Sequence, residues 1–378
     1  MQTSLVATPA RPLQPFVIRF GRLGDMVMTT AALHMLHRRY SQPCAVLGAG
    51  AWNSELLAGH PDVASVWTFT RHMPFMLGLT WWRVLAELRR SDPSPIYVLE
   101  RAPRQLPRIH RMLALSGVDR ARCVFASDEH GYEDEHQIDL LARVAQRTPP
   151  ALDTADYPVA QLSRKAAPRL SVQDSERTEM EAWLRAEGWA GQKLVLIQPG
   201  NFRTMSRKRE RWERSGADDK AWSLENWTAL LQMIGDSSSS VQIVLCGAPA
   251  EAHMLQRIKS ASGLTKVITA AVPLRPLLAL CDLAESMISI DTGPAHAAAA
   301  LGLPVAVMYG AESPTRWLPR SPSGSAVIAI GGPPLSTRVD QISVHEVFNT
   351  WRSLPTVAVR RPAKHVLNEE VPVESLRA

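Results

Sequence analysis

The chain has 378 residues, enough for two domains of ordinary size, and its 46% hydrophobic and 21% charged residues are typical of a globular protein. The formal net charge of +6 favours an anionic partner, without choosing between a nucleotide, a phosphorylated acceptor, an acidic membrane surface and a nucleic acid. Residues 1–15 lack the apolar core of a signal peptide, and no apolar run is long enough to span a bilayer. We therefore expect a soluble cytoplasmic protein that could contact the cytoplasmic face of the inner membrane.

The four cysteines are far apart in the sequence, and the absence of a C-x-x-C pair argues against a zinc site. Cys44, Cys246 and Cys281 lie in apolar runs, which predicts small core residues in a reducing compartment. No other grouping of His, Cys, Asp and Glu has the spacing of metal ligands. We therefore expect no metal site.

Short β-branched runs alternate with amphipathic segments in the first 150 residues. This pattern predicts strands at 16–20, 44–48, 63–69, 95–100 and 122–126, and helices at 25–39, 76–90 and 136–147. Such a βαβ rhythm is typical of a parallel sheet that is covered by helices on both faces.

Prolines and polar residues interrupt this rhythm at 148–175, where we place the connection between two domains. A second series follows, with strands at 193–200, 241–249, 266–271, 286–291, 305–311 and 325–330 and helices at 174–187, 223–235, 250–262, 274–283 and 294–301. The predicted units are a flexible extension (1–14), two Rossmann-like domains (15–175 and 176–335), and a C-terminal helix with a tail (336–378). Two such α/β domains normally bind a ligand in the cleft between them.

The stretch GRLGDMVMTTAAL, residues 21–33, follows the first predicted strand. Gly21 and Gly24 permit a backbone path that a β-carbon would hinder. Asp25 then lies at the mouth of the cleft, where its carboxylate can accept a proton from an incoming hydroxyl. The alternative is that Asp25 only caps the helix that follows, which aspartate does well.

In the stretch SMISIDTGPAHAAAALGLPVAVMYG, residues 286–310, a predicted strand runs directly into a helix. The strand ends at Asp291, and a tight turn through Thr292 and Gly293 starts the helix at Pro294, a favoured first position. The free N–H groups and positive dipole of such a helix start form a cradle for a phosphate, to which His296 could add a donor. The alternative is that Asp291 and Thr292 only cap the helix and that His296 is a surface residue.

The stretch DDKAWSLENW, residues 218–227, places Lys220 just before a helix that opens with Ser223. A compact ammonium suits the oxygens of a diphosphate. The alternative is a solvated lysine and a Ser223 N-cap, with Trp222 and Trp227 as packing residues.

Together, these stretches resemble glycosyltransferase family 9, the ADP-heptose:lipopolysaccharide heptosyltransferases. The matching pieces occur in family order between residues 16 and about 318: RLGDMVMTTAAL, IQPG, KAWSLENW, GAPAE and SIDTGPAHAAAALGLPVAVMYG. The resemblance implies the α/β GT-B fold, in which two Rossmann-like doubly wound domains face a central cleft. It implies acceptor contacts mainly in the N-terminal domain and the nucleotide-sugar in the C-terminal domain.

The resemblance also implies roles for individual residues. Asp25 matches the catalytic base of the family. The family's donor-binding residues are matched in this chain by Lys220, Asp291, Thr292, Gly293, His296 and Glu251. Of these, Glu251 matches a glutamate that contacts the ribose of the nucleotide. The implied reaction is inverting and metal-independent, and it transfers a heptose from ADP-heptose, a substrate and not a cofactor, to an anionic glycolipid acceptor of the lipopolysaccharide-core type.

Three segments depart from the family pattern or lie outside its motifs. The basic insertion at 202–219 is either a solvated loop or an electrostatic clamp on a phosphorylated acceptor or an acidic membrane. The segment 72–85 is rich in Met, Trp and Leu, which indicates core packing, with a lipid-facing patch as the alternative. The segment 100–122 contains four arginines that could bind an anionic acceptor through their guanidinium groups: Arg101, Arg104, Arg108 and Arg111. The alternative is that their spacing marks only an ordinary exposed helix face.

Other functions stay open at this point. The same fold and mechanism could serve another nucleotide-sugar, or another glycan or protein acceptor. A nucleotide-sugar 2-epimerase would need no acceptor, and the Asp25 stretch argues against it. A non-catalytic nucleotide-binding protein would not need Asp25 or Lys220. Nucleic-acid binding has no recognisable motif here, so we expect no nucleic-acid partner.

Overall fold

The computed structural model describes residues 12–69, 78–132, 134–159, 165–205, 218–238 and 240–355. Two parallel sheets, each covered by helices, follow one another along the chain. None of the helices in these described ranges is both long and apolar enough to cross a membrane.

The first sheet is formed by the N-terminal part of the chain. Its strands are β1 (Phe16–Ile18), β2 (Cys44–Ala49), β3 (Val63–Phe69), β4 (Ile96–Val98) and β5 (Cys123–Phe125). The helices of this half are α1 (Leu23–Tyr40), α2 (Trp52–Leu56), α3 (Leu79–Ser91), α4 (Leu106–Leu115) and α5 (Gln137–Ala145). Within the described residues the strand order is β3-β2-β1-β4-β5. The chain thus changes direction across the sheet between β1 and β4, a position where α/β sheets bind ligands.

The second sheet is formed by the C-terminal part of the chain. Its strands are β6 (Lys193–Gln198), β7 (Val241–Gly247), β8 (Val267–Ala271), β9 (Ser286–Ile290), β10 (Val305–Tyr309) and β11 (Val327–Gly331). The helices of this half are α6 (Asp174–Ala186), α7 (Leu224–Ser237), α8 (Ala252–Ser262), α9 (Leu274–Leu283), α10 (Gly293–Ala300), α11 (Pro314–Trp317) and α12 (Val344–Arg352). Among the described residues the order is β11-β10-β9-β6-β7-β8, so the change of direction lies between β9 and β6.

The strands of both sheets are apolar because helices cover the sheets on both faces. Every residue of β1, β2, β9 and β10 is buried, as expected for parallel strands that are near-continuous apolar runs. Cys44, Cys246 and Cys281 are buried free thiols, which confirms their predicted place in the core, and Cys123 is buried as well.

The two halves are in contact through α1 and α10, which pack against each other. Leu278, Ala297 and Ala300 from the second half join the hydrophobic core of the first half. A hydrogen bond reinforces the contact, because Nε2 of His136 donates to the carbonyl oxygen of Leu318 over 2.8 Å. The α1–α10 contact therefore determines how the carboxyl ends of the two sheets face each other.

The predicted strands and helices are confirmed, with ends that differ by a few residues. The structure adds α2 and α11, which were not predicted and have five and four residues, too few for a periodic pattern. Helix α4 lies in the segment 100–122, for which a helix face was one of the two interpretations. Helix α12 packs onto the second sheet through Val347 and Phe348. The proposed domain limits at 14, 175 and 335 remain a prediction, and residues 1–11 and 356–378 lie outside the described part of the chain.

Candidate active site

A cavity of about 720 Å³ lies between the carboxyl ends of the two sheets. It is lined by residues of the loops that follow β1, β2, β6, β7, β8 and β9. This is the position in which open α/β sheets bind ligands, and the volume suits a drug-sized or nucleotide-sized molecule. The predicted site residues can therefore be compared with the lining of one cavity.

Asp25 lines this cavity and also takes part in the start of α1. Leu23 is the first residue of α1 and Arg22 is its N-cap, so Asp25 occupies the third helical position. One carboxylate oxygen, Oδ2, accepts the backbone N–H of Arg22 over 2.9 Å. The side chain is 23% exposed. The two interpretations of Asp25 are compatible, because it stabilises the helix start and still faces the cavity.

The other oxygen of Asp25 is bound by Arg19, which the sequence interpretation missed. Nη2 of Arg19 donates to Oδ1 of Asp25 over 3.0 Å, and Nη1 donates to the carbonyl oxygen of Leu99. The Arg19 side chain is only 10% exposed. The available signal was a charged residue inside the apolar run FVIRF, since arginine is almost never buried unless it is paired.

His296 lies where α1 and α10 approach each other, and it is not a surface residue. A β-carbon on Gly24 would lie 3.0 Å from Cδ2 of His296, which shows how close the two helix starts are. The residue is 5% exposed and lines the cavity. Burial lowers the pKa of its imidazole, and its Nδ1 has no hydrogen-bond partner among the described residues. A neutral imidazole with a free ring nitrogen therefore borders the cavity.

The start of α10 opens onto the same cavity. Thr292 is the N-cap in an extended conformation, and its side chain makes no capping hydrogen bond. The carboxylate of Asp291 is instead paired with Lys220, whose Nζ donates to Oδ2 over 2.5 Å and to the backbone oxygen over 3.1 Å. The expected donor loop and the expected lysine are thus brought together from two different loops.

Lys220 is held by its own neighbours in sequence. Its backbone N–H donates to Oδ1 of Asp218 over 2.8 Å, and the guanidinium of Arg203 pairs with Asp218 and Asp219. Arg203 and these aspartates are the described ends of the basic insertion, whose residues 206–217 lie outside the described part. The ion pairs therefore join the two ends of the insertion next to Lys220.

The alternative interpretation of the residues around Lys220 is also partly realised. Ser223 caps α7, since its hydroxyl accepts the N–H of Asn226 over 3.2 Å. Trp222 and Trp227 are buried, and their rings meet edge-on with centroids 4.8 Å apart. These residues pack and cap, whereas Lys220 lines the cavity.

Glu251 lines the cavity, but its carboxylate is already bound by the protein. Its Oε2 accepts the N–H of Ala248 over 2.8 Å, and Thr204 donates to Oε1. Burial raises the pKa of Glu251, although these hydrogen bonds act in the opposite direction. The expected contact with a ribose therefore stays a prediction.

The four arginines predicted to bind the acceptor lie in the loop after β4 and on α4. Arg104 and Arg111 are exposed, while Arg101 and Arg108 are half-buried. The lining of the cavity contains none of these four. Their role in binding an acceptor remains a prediction, and it would place the acceptor's charged groups beside the cavity.

Two aromatic regions were interpreted incompletely from the sequence. In the segment 72–85, positions 72–77 lie outside the described residues, Trp81 and Leu85 are buried, and Trp82 is 54% exposed. At the cavity, the guanidinium of Arg22 lies 4.7 Å over the ring of Phe202, which is 63% exposed. This cation–π contact joins the loop after β1 to the loop after β6, and no local pattern predicted it.

Comparisons with known proteins agree with this architecture. Residues 153–341, half of the chain, match the family described as glycosyltransferase family 9 (heptosyltransferase). Lipopolysaccharide heptosyltransferase 1 of Escherichia coli K12 is 30% identical over 97 residues, which are 26% of this chain and 30% of that protein. This match therefore spans less than a third of the relative's length.

Two solved structures resemble the whole fold. The ADP-heptose lipopolysaccharide heptosyltransferase II of E. coli has a TM-score of 0.65 at 17% identity, over 89% of this chain and 97% of that one. The E. coli heptosyltransferase WaaC with ADP has a TM-score of 0.62 at 15% identity, over 89% of this chain and 98% of that one. These likenesses confirm the predicted GT-B fold. Together with the family match, they show that the chain belongs to glycosyltransferase family 9, a family of glycosyl-transferring enzymes.

Proposed function

We propose that this chain is an inverting glycosyltransferase that transfers a heptose from ADP-heptose to a hydroxyl of a lipopolysaccharide-core-type glycolipid. The observation that carries the proposal is the composition of one cavity. Asp25 from the first half and Lys220 with the start of α10 from the second half line it together. A carboxylate and an anion-binding group in the same cavity are what a transfer between a hydroxyl and a diphosphate-linked sugar needs.

The carboxylate of Asp25 serves as the general base. It takes the proton of the acceptor hydroxyl as the oxygen of that hydroxyl attacks the anomeric carbon of the sugar. The bond between that carbon and the diphosphate oxygen breaks on the opposite face, so the configuration is inverted. The electron pair leaves with the diphosphate, and the proton remains on Asp25.

The start of α10 and Lys220 stabilise the leaving diphosphate. Negative charge increases on it as the bond breaks, and fixed N–H groups and an ammonium directed at that charge lower the barrier. An ammonium has three donors, so Lys220 can keep its bond to Asp291 and still donate to a phosphate oxygen.

The identity of the donor and acceptor is inferred from the relatives and from the charge of the chain. The matched curated relative is named for lipopolysaccharide heptose transfer, and a structural neighbour is described with ADP. The net charge of +6 fits an anionic acceptor. A second candidate keeps Asp25 and the fold but uses another nucleotide-sugar, and the relatives' names favour ADP-heptose over it.

Calorimetric titration of the purified protein with ADP, GDP and UDP, each with and without EDTA, tests the donor. A preference for ADP that EDTA does not change supports ADP-heptose, and transfer to lipopolysaccharide-core acceptors is then assayed. A preference for GDP or UDP favours the second candidate. Binding of none of the three nucleotides contradicts the proposal. An altered sugar formed without any acceptor would indicate an epimerase.

A further inference from the structure

Arg19 is a buried cation whose position links the end of β1 to two other elements. Its backbone N–H donates to the oxygen of Leu47 over 3.1 Å, so the residue continues the pairing of β1 with β2. Its side chain turns towards the carboxyl end of β4, where Nη1 donates to the oxygen of Leu99. Burying a guanidinium without partners is costly, so its remaining partner matters.

That remaining partner is Asp25. The two carboxylate oxygens of Asp25 have different donors: Oδ1 accepts from Nη2 of Arg19, and Oδ2 accepts from the N–H of Arg22. Both donors are attached to the ends of regular elements, so the carboxylate cannot rotate without breaking one of the bonds. Each oxygen retains a second lone pair, and the side chain is 23% exposed and lines the cavity, so it is open to a hydroxyl that donates a hydrogen bond.

We propose that Arg19 is a positioning residue that aims the carboxylate of Asp25 at the acceptor hydroxyl. This inference rests on the proposed role of Asp25 as the general base. It goes beyond that role because it names the group that orients the base. It predicts that Arg19 acts on turnover only through Asp25, and not through donor binding, for which Lys220 and the start of α10 are proposed.

Arg39 provides a matched control. It is buried to the same degree as Arg19, with 7% exposure of the residue against 8%. Its guanidinium donates to the backbone oxygens of Ala145, Arg147 and Tyr157 and to the hydroxyl of Thr148. It therefore ties α1 to the chain around 145–157, and none of these hydrogen-bond partners is among the residues that line the cavity. Loss of Arg39 reports what the loss of a buried arginine does to the fold alone.

The experiment compares Arg19→Met, Arg19→Lys and Arg39→Met. It measures kcat with whichever ADP-, GDP- or UDP-linked sugar supports turnover, the Kd for the matching nucleoside diphosphate by calorimetry, and the melting temperature. We expect Arg19→Met to lower kcat about 100-fold, as when a positioned group is misplaced, and to change Kd less than about twofold. Arg19→Lys should have a kcat at least about tenfold higher than that of Arg19→Met, because lysine restores a hydrogen-bond donor. Arg39→Met should lower the melting temperature and leave kcat unchanged.

A double-mutant cycle with Asp25→Asn decides whether Arg19 acts through Asp25. If it does, Arg19→Met changes the residual kcat of Asp25→Asn less than about threefold. If the fold-losses in kcat of the two single variants multiply in the double variant, the inference is overturned. It is also overturned if Arg19→Met lowers the affinity for the nucleotide, which would indicate a structural role. Arg19→Gln repeats the measurement with a polar side chain if Arg19→Met does not fold.

The outcomes also separate this inference from the proposed function. If the wild type is active and the kcat of Arg19→Met stays within about threefold of the wild-type value, only the role of Arg19 is overturned. If Asp25→Asn keeps the kcat of the wild type, the role of Asp25 as the general base is overturned. No turnover by the wild type with any of the three classes of donor overturns the proposed function, and the role of Arg19 with it.

Discussion

Two ion pairs lie at the cavity, one from each half of the chain, and they are built in opposite ways. In the first half, the cation is buried and the anion is presented: the side chain of Arg19 is 10% exposed and that of Asp25 is 23% exposed. In the second half the order is reversed, with 23% exposure for Lys220 and 10% for Asp291. The first pair thus presents a hydrogen-bond acceptor to the cavity, and the second presents a donor.

The difference follows from what anchors each pair. Arg19 is tied to the end of β4, and Asp291 to the end of β10, because its N–H donates to the oxygen of Met308 over 2.9 Å. The anchored partner of each pair lies deeper, and the outer partner is left to meet a ligand. The pair in the first half is therefore suited to removing a proton, and the pair in the second half is suited to holding an anion. The two pairs should consequently fail in different ways when they are changed.

The largest effect is expected for Asp25→Asn. An amide cannot accept the proton of the acceptor hydroxyl, and loss of a general base costs roughly 10³-fold in rate. The groups proposed to hold the diphosphate, Lys220 and the start of α10, are unchanged in this variant, so the Kd for ADP should stay within about twofold. Transfer assays and calorimetry on the same preparation check both statements. Turnover close to that of the wild type would remove the assignment of Asp25.

Lys220→Met should produce the opposite pattern. Removing a charge-assisted hydrogen bond costs about 1.5–3 kcal/mol, which corresponds to a Kd for ADP that is roughly 10- to 150-fold higher. The exposed Lys193, at the start of β6, provides the control variant Lys193→Met, which should bind ADP as the wild type does. Equal affinities of the two variants would show that Lys220 does not contact the diphosphate.

Gly293→Ala tests how closely the start of α10 packs against the start of α1. A β-carbon there would lie 2.7 Å from Cβ of Leu23, so one helix start must move. We expect this movement to lower the free energy of unfolding by about 1–3 kcal/mol. Gly24→Ala is a milder comparison, since its β-carbon would lie 3.0 Å from His296. Denaturant unfolding measures both. A more stable Gly293→Ala variant would contradict the close approach.

The smallest effect concerns the pH dependence of the contact between the halves. Burial, with the charge of Arg320, lowers the pKa of His136 from 6.5 to about 4. The unfolded chain therefore binds a proton that the folded chain does not, and stability falls as the pH falls from 6.5 towards 4. Between pH 7 and 5.5 the free energy of unfolding should fall by about 1 kcal/mol more for the wild type than for His136→Gln. Equal losses in denaturant titrations would argue against the buried neutral imidazole.

Much of this arrangement could be predicted from the sequence because it is local. The strand limits of β3 and the helix limits of α9 follow from the apolar pattern, and Asp25 and Thr292 stand out as polar residues between a strand and a helix. The pairing of Arg19 with Asp25 was missed because a strand end and a helix start must first be placed in space. The bound state of Glu251 was missed for a related reason, since Thr204 comes from a different loop.

By itself, the sequence determined the order of strands and helices, the turns between them and the polar residues that the turns carry, because these depend on neighbouring side chains and backbone propensity. Only the tertiary structure decided which of those residues meet. Lys220 and Asp291 are 71 positions apart in the chain. They pair because β6 and β9 are neighbours in the sheet. Strand order and the α1–α10 contact arise from burying whole faces of elements, which no single stretch of sequence encodes.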